Sequence, residues 1–239
     1  MGKIYRYECR RLLWNQFFAG LALALLLYGA LVLRGVTILG VSHTAPFSPW
    51  SFGDYLSRML PLLWLGALTL LSLFTAPKAR RVEVLTAATS MSPRRYALAR
   101  CFAALTGTAL LALLCVGQAA LFYRWYFSWY AWGSLVFPTL VTLVPPLVFA
   151  VGSGWQLGKI RPWLLYAWMP APFVCAALPL PKAMELWNGI FFTRYPLTLN
   201  VLDPAFSVPV SALLAQWGLL AAGIGLLAFS PAKVMAERS

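Results

Sequence analysis

Long apolar stretches separated by short polar ones set the pattern of this chain. Six runs stand out, roughly residues 17–40, 59–75, 102–123, 133–157, 163–181 and 209–230. None alternates apolar and polar residues at period two, so the runs do not read as barrel strands. Each is near the length of about 20 residues that a helix needs to cross the hydrocarbon core of a bilayer. A helix also satisfies its own backbone groups there. The pattern predicts an all-α integral membrane protein with six transmembrane helices in a single transmembrane domain, residues 1–239. Lys3, Arg6, Arg10 and Arg11 precede the first run as cations precede a secretory leader. That run is longer than the leader core of about 7–15 residues and no A-x-A-like site closes it, so it reads as the first span.

The stretches between the runs have characters of their own. Residues 2–15 place Lys3, Arg6 and Arg10 on one helical face, flanked by Arg11, with Tyr5, Cys9, Leu12 and Leu13 opposite. This is the pattern of an interfacial amphipathic helix, its cations toward anionic headgroups and its apolar side in the acyl boundary, so membrane lipids are an expected partner. Residues 41–58 carry prolines, serines and a glycine, and read as a turn-rich loop. "LFYRWYFSWYAWG" at the end of the third run has eight aromatics in thirteen residues, an aromatic belt with Arg124 snorkelling. Pro138, Pro145 and Pro146 interrupt the fourth run, and its Gly154 and Gly158 form a pair that admits a close neighbour. Pro162, Pro170, Pro172, Pro179 and Pro181 predict a kinked or broken fifth run. Residues 182–208 are too polar to span and too apolar to float free, so short or re-entrant helices are expected there.

Composition supports a lipid solvent: 61% of residues are hydrophobic, 10% are charged, and the mean hydropathy is +0.75. Soluble domains carry about 25% charged residues. The net charge of +13 is unevenly distributed. With the N-terminus inside, fourteen Lys and Arg fall in inner segments and five in outer ones, the positive-inside pattern. Both termini are thus expected to be cytoplasmic, and the charge requires no nucleic-acid partner.

Candidate chemistry is sparse. Cys9, Cys101, Cys115 and Cys175 show no CxxC spacing and read as packing residues. His43 is the only histidine, which leaves no His pair for a metal site. The acidic residues are Glu8, Asp54, Glu83, Glu185, Asp203 and Glu237, none in the middle of an expected span, where an ion-driven transporter keeps a titratable group. No G-x-x-x-x-G-K-[ST] occurs; "GSGWQLGKI" has the wrong glycine spacing. The chain is expected to have no ATPase activity or cofactor of its own. A lipid-modifying enzyme would have to draw on Asp54, His43, Glu185 and Asp203.

One polar stretch stands apart. Residues 77–92, between the second and third spans, form the largest expected cytoplasmic loop. Leu85, Ala88 and Met91 lie along one side with Val84, and Arg80, Arg81 and Glu83 occupy the polar remainder. Ser92-Pro93 then reads as a helix start, a hydroxyl cap followed by proline at the first helical position. "PRRYALAR" leads from there into the third span. A short surface helix held between two spans can receive a push from a soluble partner; a solvated basic loop accounts for the same residues.

The order of a basic pair, a glutamate, a small and apolar run, Ser-Pro, arginines and an aromatic resembles the type-two ATP-binding-cassette (ABC) exporter permeases. Their loop after the second span carries E-x-L-x-x-x-P-[VI]-S-R-x-x-[YI]. Glu83 and Leu85 match its start, and Pro93, Arg94 and Tyr96 resemble its end. "YPLTL" at Tyr195–Leu199 is similar to the family's N-P-L-T element, with Tyr195 in place of the asparagine. Arg94-Arg95 also stand where the family has an apolar-Ser pair. The resemblance implies that residues 77–92 are a coupling helix. Its candidate coupling residues are Arg80, Arg81, Glu83, Leu85, Ala88, Met91, Ser92, Pro93 and Arg94. It further implies two partner P-loop ATPase subunits that bind ATP and magnesium, and a second permease copy or a similar permease. The location would be a bacterial cytoplasmic membrane, and the substrate an amphipathic or hydrophobic peptide, drug or lipid-like molecule, in the setting of antimicrobial or drug resistance. The alternative is a non-transporting scaffold or sensor that recruits a soluble partner through residues 77–100.

Overall fold

The computed structural model describes residues 2–75, 93–178, 181–199 and 201–228, and among these every regular element is helical. In chain order the α-helices are α1 (Gly2–Leu13), α2 (Gln16–Gly35), α3 (Pro49–Thr75), α4 (Pro93–Phe127), α5 (Gly133–Ile160), α6 (Pro162–Trp168), α7 (Ala171–Ala177), α8 (Ile190–Thr198) and α9 (Val210–Ala228). Five of them are long and apolar enough to cross a membrane: α2 with the 3-10 turn that follows it, α3, α4, α5 and α9.

The helix starts follow from local chemistry. Asn15 caps α2, its Oδ1 accepting from the Phe17 N–H at 3.2 Å. Ser48 caps α3 by accepting from the Ser51 N–H at 3.2 Å, with Pro49 at the first helical position. The second expected span therefore begins about a turn after residue 45, and Ser51, Asp54, Ser57 and Arg58, which read as loop, are helical. Their polar groups are satisfied locally. Ser51 Oγ donates to the Ala45 carbonyl at 2.8 Å, Ser57 Oγ to the Asp54 carbonyl at 2.8 Å, and Arg58 Nε pairs with Asp54 Oδ2 at 2.8 Å.

The centre of the bundle is α3. Trp50, Tyr55, Met59, Leu63, Trp64, Ala67 and Leu71 are all fully buried and together cover about 220° of the helix, leaving Leu62, Leu65 and Thr69 half-buried on the remaining strip. A helix buried over so wide an arc packs mainly against protein. Around it lie α2, α4, α5, α6, α7 and α8. On α5, Gly154 faces Leu68 and Leu71 of α3, and Gly158 faces Thr75. The expected glycine pair thus seats α3. A different glycine pair seats α9: a Cβ on Gly223 would lie 2.8 Å from the Phe149 backbone, and Gly152 faces the Gly223 carbonyl. These helices approach with no side chain between them.

Contacts along this seam fix the sense of the chain. Ala212 lies in one cluster with Val141, Gly223 meets Gly152, and Gln156 Nε2 donates to the Leu226 carbonyl. So α9 runs parallel to α5, and the chain between them must return along the height of the pair. Where one span over 163–181 was expected, the structure has α6 and α7, seven residues each, interrupted at Met169-Pro170. Each is about 10 Å long against a hydrocarbon core of about 30 Å. The break has a plain cause, since Pro170 and Pro172 have no N–H to continue the ladder of α6. Protein covers it: Trp168 Nε1 donates to Ser153 Oγ at 3.0 Å, and the Trp168 carbonyl accepts from Trp64 Nε1 at 3.4 Å.

Candidate functional site

Only two residues of the expected coupling set fall among the described residues. Arg80, Arg81, Glu83, Leu85, Ala88, Met91 and Ser92 lie outside the described residues. Pro93 and Arg94 open α4, whose first residue is Pro93. The 76–92 segment is rooted at Thr75, the end of α3, and at Pro93.

One turn into α4, the chain meets α1. Tyr96 donates its hydroxyl hydrogen to Glu8 Oε1 at 2.9 Å, and Arg100 Nη2 donates to the Tyr96 oxygen at 2.9 Å. Arg100 Nε also lies 3.7 Å from Glu8 Oε1, and Arg11 Nη1 lies 3.5 Å from Glu8 Oε2. Glu8 is 1% exposed and Arg100 2%, so both charges are out of water and hold one another. The Arg100 guanidinium sits 4.2 Å above the Tyr96 ring centroid and 6.0 Å from that of Phe74, which brings the end of α3 into the same cluster. Three elements thus meet in one polar clasp beside the roots of the segment.

Apolar contacts extend it. Leu12 is buried against Gly107 of α4, where a Cβ would lie 2.5 Å from Leu12 Cδ2 and 3.0 Å from Leu70 Cδ1 of α3. Tyr5 shares a 2.6 Å hydrogen bond with Thr106 Oγ1, and the Thr106 hydroxyl in turn lies 2.9 Å from the Phe102 carbonyl. The stripe Tyr5, Glu8, Cys9 and Leu12 is one face of α1, and it is turned onto α4. The apolar side of this helix was expected to lie in the acyl boundary; it packs on protein instead, because buried Glu8 needs the Tyr96 hydroxyl as donor and the Arg100 charge as counterion. Lys3, Arg6, Arg10 and Arg11 are exposed on the rest of the circumference.

The opposite end of the bundle carries a second, aromatic assembly. Trp50 lies 4.7 Å from Phe206, 5.8 Å from Phe191 and 5.9 Å from Tyr195, ring centre to ring centre. Its Nε1 donates to the Pro204 carbonyl at 2.8 Å. Ser42 Oγ donates to the Thr193 carbonyl. Residues of the "YPLTL" stretch therefore help to cap the start of α3, with Pro196 buried in α8. This end is built for cohesion: its charged pair, Asp54–Arg58, is already closed on itself.

No protein family, no curated protein and no solved structure matches this chain. The site must therefore be read from its own chemistry. Sequence reasoning passed over Glu8 and Arg100. A usable signal existed: Glu8 is the sole acidic residue in the first fifty-three, and it falls on the apolar stripe of α1. An acid among apolar residues and surrounded by arginines asks for a buried cation. Arg100, one turn beyond Tyr96 at i,i+4, supplies it.

Proposed function

We infer that this chain is the membrane-spanning permease subunit of an ABC exporter, driven by separate ATPase subunits that dock at the α1 end of the bundle. The observation that carries this reading is the Glu8–Tyr96–Arg100 clasp. It fastens α1 to the first two turns of α4, and its Tyr96 is the last of the residues that resemble the family's coupling motif. A displacement of the 76–92 segment would reach α4 through Pro93 and α3 through Thr75. The clasp would pass it to α1 without loss in a soft contact, because a buried ion pair with two hydrogen bonds has one geometry. Five helices of spanning length support the membrane role.

In this reading the broken α6–α7 segment is the fifth of six crossings, which the parallel run of α5 and α9 supports, and both termini lie in the cytoplasm. Two copies, or one with a similar permease, enclose the path. The substrate is amphipathic or hydrophobic, in keeping with a chain that offers few charged groups to a polar one.

The test is affinity purification of the tagged chain from its native membranes in mild detergent, followed by mass identification and an ATP hydrolysis assay. A P-loop ATPase is expected to co-purify and to be lost from the Glu83→Ala/Leu85→Ala variant. Recovery of the chain alone, without nucleotide hydrolysis, would overturn the reading in favour of a scaffold.

A further inference from the structure

Between α1 and α4, beside the clasp, an open groove of about 390 Å³ is walled by Gly2, Tyr5, Leu98, Ala99 and Phe102. Its walls are almost wholly apolar, and Phe102 is 58% exposed along it. The volume falls in the range of about 300–1,000 Å³ typical of small-molecule sites.

Next to the groove, the face of α1 beyond Gly2 is strongly basic. With 3.6 residues per turn, Arg6 lies about 40° round α1 from Gly2, and Lys3 and Arg10 about 100° and 80°. All three are exposed. The single acid of this helix, Glu8, is turned to the other side and held by Tyr96, Arg100 and Arg11, so it cannot neutralise them. Beyond the cations stand Tyr7 and Trp14, 66% and 83% exposed, with the Arg10 guanidinium 5.6 Å from the Trp14 ring centroid. Exposed aromatics beside cations mark a surface that sits at a headgroup layer.

We propose that this groove binds one anionic phospholipid, an acyl chain lying along Leu98, Ala99 and Phe102 and the phosphate headgroup resting on Arg6 and Lys3. An acyl chain matches the apolar walls, and a negative headgroup matches a neighbouring face that carries cations and, among the described residues, no unpaired acid. A zwitterionic headgroup lacks the net charge to use that face. The bound lipid would brace α1 against α4 next to the clasp, so its occupancy would govern how firmly the two helices are joined. The proposal rests on the membrane-protein reading and is independent of any ATPase.

The full chain is reconstituted in nanodiscs of equal phosphatidylglycerol and phosphatidylcholine, re-extracted in mild detergent, and its retained lipid quantified by mass spectrometry. About one phosphatidylglycerol per chain is expected to remain, enriched several-fold over phosphatidylcholine. Lys3→Gln/Arg6→Gln should abolish the enrichment, and Leu98→Trp, which narrows the groove, should remove the retained lipid. Thermal melting of each variant checks its fold; should Leu98→Trp unfold, the surface pair alone decides. Equal retention of the two lipids, or enrichment unchanged in the Lys3/Arg6 variant, would overturn the proposal. So would a change in oligomeric mass with Leu98→Trp at unchanged lipid, which would mark the groove as a contact between copies. Retained phosphatidylglycerol in a chain that recruits no ATPase would leave the site standing and remove only the exporter reading.

Discussion

Glu8 shows how much one side chain can decide. A carboxylate at 1% exposure is tolerable only while its partners are in place: it accepts hydrogen bonds from Tyr96 and Arg11 and pairs with the Arg100 charge at 3.7 Å. Removing one member of a buried pair leaves an uncompensated charge, a loss of about 3–5 kcal/mol. Arg100→Met should therefore lower the melting temperature sharply, and Glu8→Gln/Arg100→Met should recover much of the loss because no bare charge remains. A double variant as unstable as the sum of its singles would show that the two residues do not interact. Tyr96→Phe keeps the ring under the guanidinium and deletes only the hydroxyl relay. It should cost about 1–3 kcal/mol, the penalty for an acceptor deprived of its donor. The clasp was not legible in the sequence, because its partners lie 88 residues apart and such a pairing leaves no local periodicity. The exposed cations Lys3, Arg6, Arg10 and Arg11 were legible, since amphipathic spacing is a local property.

Among the elements, the long helices were readable and their limits less so. The apolar runs found α2, α4, α5 and α9 because lipid and protein interior both select for uninterrupted apolar length. The start of α3 was displaced by about ten residues, because Ser51, Asp54, Ser57 and Arg58 have loop composition while their hydrogen bonds close within the helix. The start of α4 at Pro93 was legible from Ser92-Pro93. The fifth run was expected to be kinked or broken by its prolines, and it is broken at Met169-Pro170. The contact of α5 with α9 depends on the absence of side chains. Gly223→Val would drive its branches into the Phe149 and Val148 backbone, which lies 2.8–2.9 Å from a Cβ, and backbone cannot step aside. Overpacking of this kind costs about 1–3 kcal/mol or more. The variant should melt lower, whereas Gly225→Val, on open space, should not; equal effects would refute the seam.

For the whole molecule the chief prediction concerns sidedness. In a chain freed of its four cysteines, single cysteines at Lys3 and Arg161 should react with a membrane-impermeant thiol reagent from one face of the membrane. Those at Tyr130 and Leu202 should react from the other. Leu202 reacting from the same face as Arg161 would show that α6 and α7 do not form a crossing. The bundle also has a history written into it. The short helices α6 and α7 cannot be held by lipid alone, and their broken backbone is covered by Ser153 of α5 and Trp64 of α3. Both covering helices precede them in the chain, so the ribosome delivers the shelter before the segment that needs it. The seam of α9 on Gly152 is then free to close last. An ordering of the genes' product in which α3 was translated after α6 would present the insertion machinery with an interrupted, unsheltered segment. In the six-crossing reading, connectivity here is a schedule for membrane insertion as well as a path through space.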